Sequence, residues 1–196
     1  MEEDKKIKTT QNNKSVEKNS VLKELLEYVI TLAVVLVVYL LLTSFVIINA
    51  QIPSESMVST VMKNDRVFGN RLSYINKDPE RFDIVIFKYP DNEKQLFIKR
   101  IIGLPGETVH IRDGKVYIND SEEPLDDSFI NEPQEPEYDN TELVFEVPDD
   151  SYFMMGDNRN HSNDSRYWKN HYVKRDKILG KAVLRYWPLT RLGFLK

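Results

Sequence analysis

The chain has 196 residues and a formal net charge of −4, with 31 acidic against 27 basic side chains. This length allows one membrane anchor and one domain of roughly 150 residues, and the charge provides no overall field that would favour nucleic acid. Because there is no cysteine, disulfides, a thiol nucleophile and Cys-ligated zinc are excluded, and three scattered histidines predict no metal site.

Residues 1–27 are polar and of mixed charge, and we predict a disordered tail in which a helix begins near Leu22. No charged residue follows until after Gln51, and Val29 to Ile48 supplies 20 almost entirely apolar residues. As a helix they span about 30 Å, the thickness of the hydrocarbon core of a bilayer. A buried core helix rarely runs this long without a polar face, and a cleaved signal peptide usually has a shorter apolar stretch. We predict a transmembrane helix over residues 28–50.

The basic residues around this helix predict its orientation. Lys14, Lys18 and Lys23 precede it, whereas the first basic residue after it is Lys63. The positive-inside rule therefore predicts a cytoplasmic N-terminus and an extracytoplasmic domain over residues 51–196.

Short segments rich in β-branched and aromatic residues predict strands in this domain. They are Arg66–Asn70, Asp83–Phe87, Leu96–Ile102, Ser151–Met155 and Ile178–Trp187. An Asp-Gly pair in Val109–Ile118 predicts a hairpin with a two-residue turn, and Leu104-Pro105-Gly106 predicts a type II turn. No useful amphipathic helical pattern follows residue 60, so we predict a mainly β domain.

The segment between Asp120 and Glu142 contains ten acids, three prolines and no Lys or Arg. It has too little apolar area to order itself well. We predict a surface excursion or part of a small cap, and its charge indicates little about function.

Two serines directly after the apolar stretch are candidate catalytic groups. In an extended segment Ser54 and Ser56 fall on the same face, because side chains alternate with a period of two. The Ser56 hydroxyl could attack while Ser54 and the backbone N–H of Ser56 donate to the developing oxyanion. On these residues alone an ordinary polar turn after a helix, helped by Pro53, is the stronger interpretation, since serines are common in loops.

Lys99 lies in the apolar run Leu96–Ile102, next to Arg100, so we expect one of the two charges to point towards the core. Burial of an ammonium usually lowers its pKa instead of leaving a buried charge. A lysine whose pKa falls from about 10.4 to about 8 is a usable general base. The alternative is an exposed lysine that protects an edge strand from aggregation.

The stretch from Gly156 to Arg166 is dense in side chains that bond to their own backbone, which predicts a rigid polar loop after a strand. Alternating Asn158, Asn160, Ser162 and Asp164 suggest an EF-hand loop. However, Asn163 stands where that loop needs glycine and Lys169 where it needs glutamate, so calcium is rejected.

Five segments together resemble bacterial type I signal peptidases, and they occur in the family's order. They are Pro53-Ser54-Glu55-Ser56-Met57, Arg81–Phe87, Lys99–Glu107, Gly156–Arg159 through Asp164–Arg166, and Gly180-Lys181-Ala182 to Trp187-Pro188. Any one of them is a weak signal, whereas the ordered set is specific.

The resemblance implies a β-rich catalytic domain with a smaller inserted β domain at about residues 107–147. It also implies a role for each of seven side chains. Ser56 is the nucleophile, Lys99 the general base and Ser54 the side-chain donor of the oxyanion hole. Ser162 orients the lysine, while Asp157, Asp164 and Arg166 hold the loop beside it.

Two positions depart from the family pattern. Ser59 stands where proline is frequent, and this difference should loosen the turn after Ser56. Glu55 stands where a small residue is frequent, and it adds a charge near the site.

The resemblance further implies a single-pass bacterial membrane enzyme, in contact with lipid, that cleaves signal peptides from secretory preproteins without a cofactor. Its substrates carry small residues at the first and third positions before the cut. A catalytically silent relative that assists pilus assembly or secretion is the alternative, against which the presence of Ser56 and Lys99 argues. A self-cleaving repressor would need a DNA-binding module, and an endoplasmic-reticulum-type peptidase would carry histidine at position 99. Nothing in the sequence indicates an oligomeric state.

Overall fold

The computed structural model describes residues 2–130, 132–135 and 142–195, and for residues 2–21 it describes the backbone alone. The chain divides into two compact units, residues 1–44 and residues 45–196. The first contains an apolar helix and the second is mainly β, so the predicted fold class is confirmed.

Helix α1 (Glu2–Leu41) continues into a π-helical segment, Leu42–Val46. Within them, Leu22–Val46 is long and apolar enough to cross a membrane. The helix also covers the tail that we predicted to be disordered. That tail has no glycine or proline and is rich in Lys and Glu, so no residue in it ends a helix.

The apolar helix ends four residues earlier than predicted, because residues 47–50 belong to a strand of the second unit. Ile48 in this strand is buried in the β core. Two consecutive β-branched isoleucines suit a strand as well as a membrane helix, so hydropathy alone placed the boundary too late.

Eleven strands lie in the described residues, and all of their pairings are antiparallel. They are β1 (Ile47–Gln51), β2 (Arg66–Asn70), β3 (Ile84–Tyr89), β4 (Asn92–Gly103), β5 (Thr108–Arg112), β6 (Lys115–Ile118), β7 (Leu143–Glu146), β8 (Ser151–Met155), β9 (Tyr172–Lys174), β10 (Ile178–Trp187) and β11 (Gly193–Phe194). Short 3₁₀ helices lie at Arg71–Tyr74, Arg159–His161, Arg175–Lys177 and Leu189–Arg191.

The larger sheet has the order β1-β2-β10-β3-β4-β8-β9, with β11 paired to β10, and the smaller sheet has the order β6-β5-β7. The predicted hairpin is β5–β6, and its Asp113 and Gly114 both have positive φ, as a two-residue turn requires. The type II turn is also present. Gly106 has a φ of 75°, and the Glu107 N–H donates to the Leu104 carbonyl over 3.2 Å.

The smaller sheet lies in the range predicted for the insert and shares a core with the larger one. Val109 and Phe145 from the smaller sheet pack in one buried cluster with Phe153 and Met155 from β8. This packing fixes the strand that leads into the Gly156–Arg166 loop.

Candidate active site

Strand β4 carries Lys99 to the turn that follows β1. There Lys99 Nζ and Ser56 Oγ are hydrogen-bonded, although the residues are 43 apart in the chain. Both are buried, with exposed fractions of 3% and 6% respectively. The pairing of β4 with β3 places Lys99 opposite Val85, so the lysine side chain emerges from a rigid sheet and not from a loop.

The segment around Ser56 is a turn, and not the extended strand that we expected. The Val58 N–H donates to the Glu55 carbonyl and the Val61 N–H to the Met57 carbonyl. The side chains of Met57 and Val61 are fully buried and anchor the turn in the core. The hydroxyls of Ser54 and Ser56 nevertheless converge, with their oxygens 3.3 Å apart.

Burial is the main electrostatic influence on Lys99. It lowers the pKa of the ammonium from its ordinary value of 10.5 to about 8, and the neighbouring Arg166 acts in the same direction. The carboxylates of Asp164 and Asp157 oppose this shift. At pH 7 about one Lys99 side chain in ten is therefore the free amine, which can accept a proton.

Two buried ion pairs hold the loop beside the lysine. Arg100 donates from Nε and Nη2 to the two Asp157 oxygens over 2.8 and 2.7 Å. Arg166 donates in the same bidentate manner to Asp164 over 2.8 and 2.9 Å. Although burial alone would raise the pKa of Asp164, Arg166 and the Gly156 N–H keep it below its ordinary value, so this carboxylate stays charged.

Gly156 lets the loop approach the nucleophile closely. A Cβ at this position would lie 2.3 Å from the Ser56 carbonyl oxygen and 2.2 Å from Ser162 Oγ, which is closer than atoms can pack. Ser162, which the resemblance gives the role of orienting Lys99, is therefore next to the site. Its buried hydroxyl makes no hydrogen bond to Lys99 in the described residues.

Sequence reasoning missed three of the side chains that build this site. We expected only one of the two charges, Lys99 or Arg100, to face the core, whereas both side chains are buried. Thr60 donates to Asp157 from the turn after the nucleophile, and Arg159 is buried within the loop. Only Arg100 carried a signal, namely its place in an apolar strand.

A largely apolar groove with a volume of about 510 Å³ leads to Ser56 and Lys99. Its walls include β1 from Asn49 to Gln51 and β4 from Leu96 to Lys99. Among the described strands, β1 pairs only with β2, and this part of β4 pairs only with β3. Both walls therefore present an unpaired strand edge, where an extended peptide could hydrogen-bond.

A buried amine hydrogen-bonded to a serine hydroxyl is suited to remove its proton, so this site indicates a serine hydrolase with a lysine base. Comparison with known proteins identifies the family. The profile of the family described as signal peptidase, peptidase S26, matches residues 25–187.

Individual relatives narrow the assignment. The chain is 45% identical over 157 residues to a probable signal peptidase I-2 from Synechocystis, which covers 78% of this chain and 68% of the relative. It is 41% identical over 178 residues to signal peptidase I from Leptolyngbya laminosa, and the match covers 87% of this chain and 84% of that relative. A thylakoidal processing peptidase 1 from Arabidopsis thaliana is 40% identical over 152 residues, and the match covers 72% of this chain and 42% of that relative. The chain belongs to the signal peptidase family, as a type I signal peptidase. It is a membrane-anchored serine protease, and the resemblance seen in its motifs is confirmed.

Proposed function

We propose that this protease removes signal peptides from exported preproteins, with Ser56 as nucleophile and Lys99 as general base. The observation that carries the proposal is the hydrogen bond between Lys99 Nζ and Ser56 Oγ in a buried position at the groove. The relatives named as signal peptidases support the choice of substrate.

In the first half of the reaction, the neutral Lys99 amine takes the Ser56 proton while Oγ attacks the scissile carbonyl carbon. The resulting oxyanion accepts hydrogen bonds from Ser54 Oγ and the Ser56 backbone N–H. Lys99 then gives its proton to the leaving amine, which becomes the new N-terminus of the mature protein. The signal peptide stays attached to Ser56 as an ester.

In the second half, Lys99 takes a proton from a water molecule that attacks this ester carbonyl. Collapse of the second tetrahedral intermediate returns the proton to Ser56 Oγ and releases the signal peptide with a free carboxylate. Both halves use the same amine, so one depressed pKa serves both steps. No cofactor enters the chemistry.

The groove favours an extended substrate. A peptide between the free edges of β1 and β4 would hydrogen-bond to the strand backbones, which confers affinity without requiring a particular sequence. Side chains of an extended peptide alternate, so the first and third residues before the cut face the same wall. The family's preference for small residues at those two positions therefore fits a shared apolar wall that includes Ile52 and Ile86.

Ser54→Ala is expected to leave folding intact and to lower kcat by on the order of 10²–10³-fold, because it removes one donor to the oxyanion. Ser54 lies 3.3 Å from the nucleophile oxygen and is exposed, so its removal leaves no buried polar group unpaired. The check is steady-state cleavage of a precursor, with thermal unfolding measured in parallel. An unchanged kcat would mean that Ser54 only completes the turn.

For orientation, we propose a cytoplasmic N-terminus and an extracytoplasmic protease domain, on the basis of the lysines that precede Leu22–Val46. Protease added to intact spheroplasts is then expected to digest residues beyond about 60 and to spare the first 25. Immunoblots with tags at each end report the outcome. Loss of the N-terminal tag, together with protection of the residues beyond about 60, would show the opposite orientation.

The activity itself is tested with detergent-solubilised protein and a purified secretory precursor. We expect a single cut directly after the signal peptide, with small residues at its first and third positions, as read by sequencing the new N-terminus. Ser56→Ala serves as the matched inactive protein. Cleavage by that variant, or no cleavage by the wild type, would contradict the proposal.

A further inference from the structure

The acidic region between Asp120 and Glu142 contacts the Gly156–Arg166 loop, and it is therefore more than a surface excursion. The described part of this region around the contact is residues 125–130 and 132–135, which we call the acidic segment. Asp127 accepts hydrogen bonds from Arg159 Nη1 and Nη2 over 3.1 and 2.8 Å. The Arg159 side chain is fully buried, whereas Asp127 keeps 18% of its side chain exposed.

Phe129 makes a second contact with the site. Its ring lies 4.2 Å from the Arg100 guanidinium carbon and 5.8 Å from that of Arg159, close enough for cation–π attraction to both. Its carbonyl oxygen accepts a hydrogen bond of 3.2 Å from Ser59 Oγ. Ser59, which replaces the family's frequent proline, therefore supplies a donor that proline lacks.

Two backbone contacts extend this attachment along the acidic segment. The Glu135 N–H donates to Asn160 Oδ1 over 2.9 Å, and Asn160 Nδ2 donates to the Pro133 carbonyl over 3.1 Å. Asn160 adjoins Arg159 in the loop, so the acidic segment follows the loop and does not touch it at a single point.

The two arginines connect the acidic segment to the catalytic pair. Arg159 Nε donates to the Gly156 carbonyl over 3.2 Å, and Gly156 is packed against the Ser56 carbonyl. Arg100 directly follows Lys99 in β4 and binds Asp157 through two hydrogen bonds. Each guanidinium is thus held by the acidic segment on one side and by the loop on the other.

We propose that the acidic segment positions the Ser-Lys pair, with Asp127 and Phe129 fixing the arginines that hold Gly156 and Asp157 beside Ser56 and Lys99. This inference rests on the proposed function of that pair. A buried guanidinium deprived of its carboxylate must reach water or another partner, and Arg159 can do so only by displacing the loop that encloses Lys99. Asp127 and Phe129 are positioning residues, because neither touches the reacting atoms.

Asp127→Asn keeps the size of the side chain and removes its charge. We expect kcat for precursor cleavage to fall about 10-fold or more, since small displacements of catalytic groups are costly, with KM little changed. We also expect the acid limb of the pH profile to move to higher pH. The charged groups around Lys99 are Asp157, Asp164 and Arg166, and water that enters a loosened loop would weaken the desolvation that opposes the ammonium.

The matched control is Glu122→Gln, which removes the same charge from an exposed residue of the same region that has no ion pair with a described residue. It should match the wild type in kcat, KM and pH limb. Asp127→Glu should recover part of the lost kcat. If Asp127→Asn does not fold, Phe129→Leu provides the same comparison, because it keeps apolar bulk and loses the aromatic face.

The inference is overturned if Asp127→Asn and Phe129→Leu both lower the melting temperature but leave kcat and the pH limb unchanged, because the acidic segment would then contribute packing alone. A raised KM with unchanged kcat would also overturn it and would indicate a substrate contact instead. Failure of the proposed function is distinguishable, since the wild type and Glu122→Gln would then cleave no precursor.

Discussion

Lys99→Arg is expected to abolish precursor cleavage, with kcat reduced by on the order of 10⁴-fold or more, as when other serine hydrolases lose their base. Arginine keeps the positive charge, but a guanidinium is not deprotonated in a protein and cannot accept the Ser56 proton. Lys99→Ala is expected to be equally inactive. Single-turnover cleavage with excess enzyme measures the chemical step directly.

The control for this substitution lies in the same strand. Lys94 is an exposed residue of β4, so Lys94→Arg makes the same change outside the site and should retain wild-type activity. Thermal unfolding establishes that both arginine variants are folded. An arginine variant at position 99 that cleaves at a robust rate would end the role of Lys99 as base.

The pH dependence of cleavage is the second large effect. A lysine acting as base must be neutral, so protonation below its pKa of about 8 removes activity. We expect kcat/KM to rise with pH along a limb centred near 8, and to be about 1,000-fold lower at pH 5 than on the plateau, since the neutral fraction falls tenfold per pH unit. Initial rates between pH 5 and 10 report this limb, and a flat profile between pH 6 and 9 would contradict it.

Asp164 does not contribute to the pH limb of Lys99. Its pKa is held below the ordinary value by Arg166 and the Gly156 N–H. The carboxylate therefore stays charged through the range in which Lys99 titrates and adds nothing to the limb.

Local patterns were sufficient for much of the fold. The β-branched and aromatic residues of β2, β8 and β10 predicted their bounds as the structure has them. The turns were equally predictable, because Asp113, Gly114 and Gly106 have positive φ, a conformation that glycine adopts readily and that few other residues favour.

The approach of Ser56 to Lys99 could be proposed only from the family motifs. Forty-three residues separate them, and it is the antiparallel order of β1, β2, β10, β3 and β4 that brings them together. Periodicity indicates that a strand exists, whereas it does not indicate which strand lies beside it. The expected extended geometry at Ser54 and Ser56 was wrong for the same reason, since Met57 and Val61 draw the segment into a turn by packing in the core.

The acidic region between Asp120 and Glu142 was the part of the chain that the sequence explained least. Ten acids and three prolines indicate a segment that cannot fold alone, and nothing in them names a partner. The partners are arginines in distant strands and loops. Arg159 gave no sign in the sequence that it would be buried, and Arg100 gave only its place in an apolar strand. Ionic contacts between residues so far apart in the chain can be identified only from the tertiary structure.

The central claim is that the pKa of Lys99 in the folded enzyme lies near 8, so that it can act as a neutral amine. Titration of the full-length protein in detergent micelles, labelled with ¹⁵N at lysine Nζ and followed by NMR, measures this directly. The Lys99→Arg spectrum assigns the resonance by its absence. The account predicts a midpoint of about 8, well below the ordinary lysine value of 10.5. A midpoint at the ordinary value would show a charged ammonium at Ser56 and would contradict the mechanism.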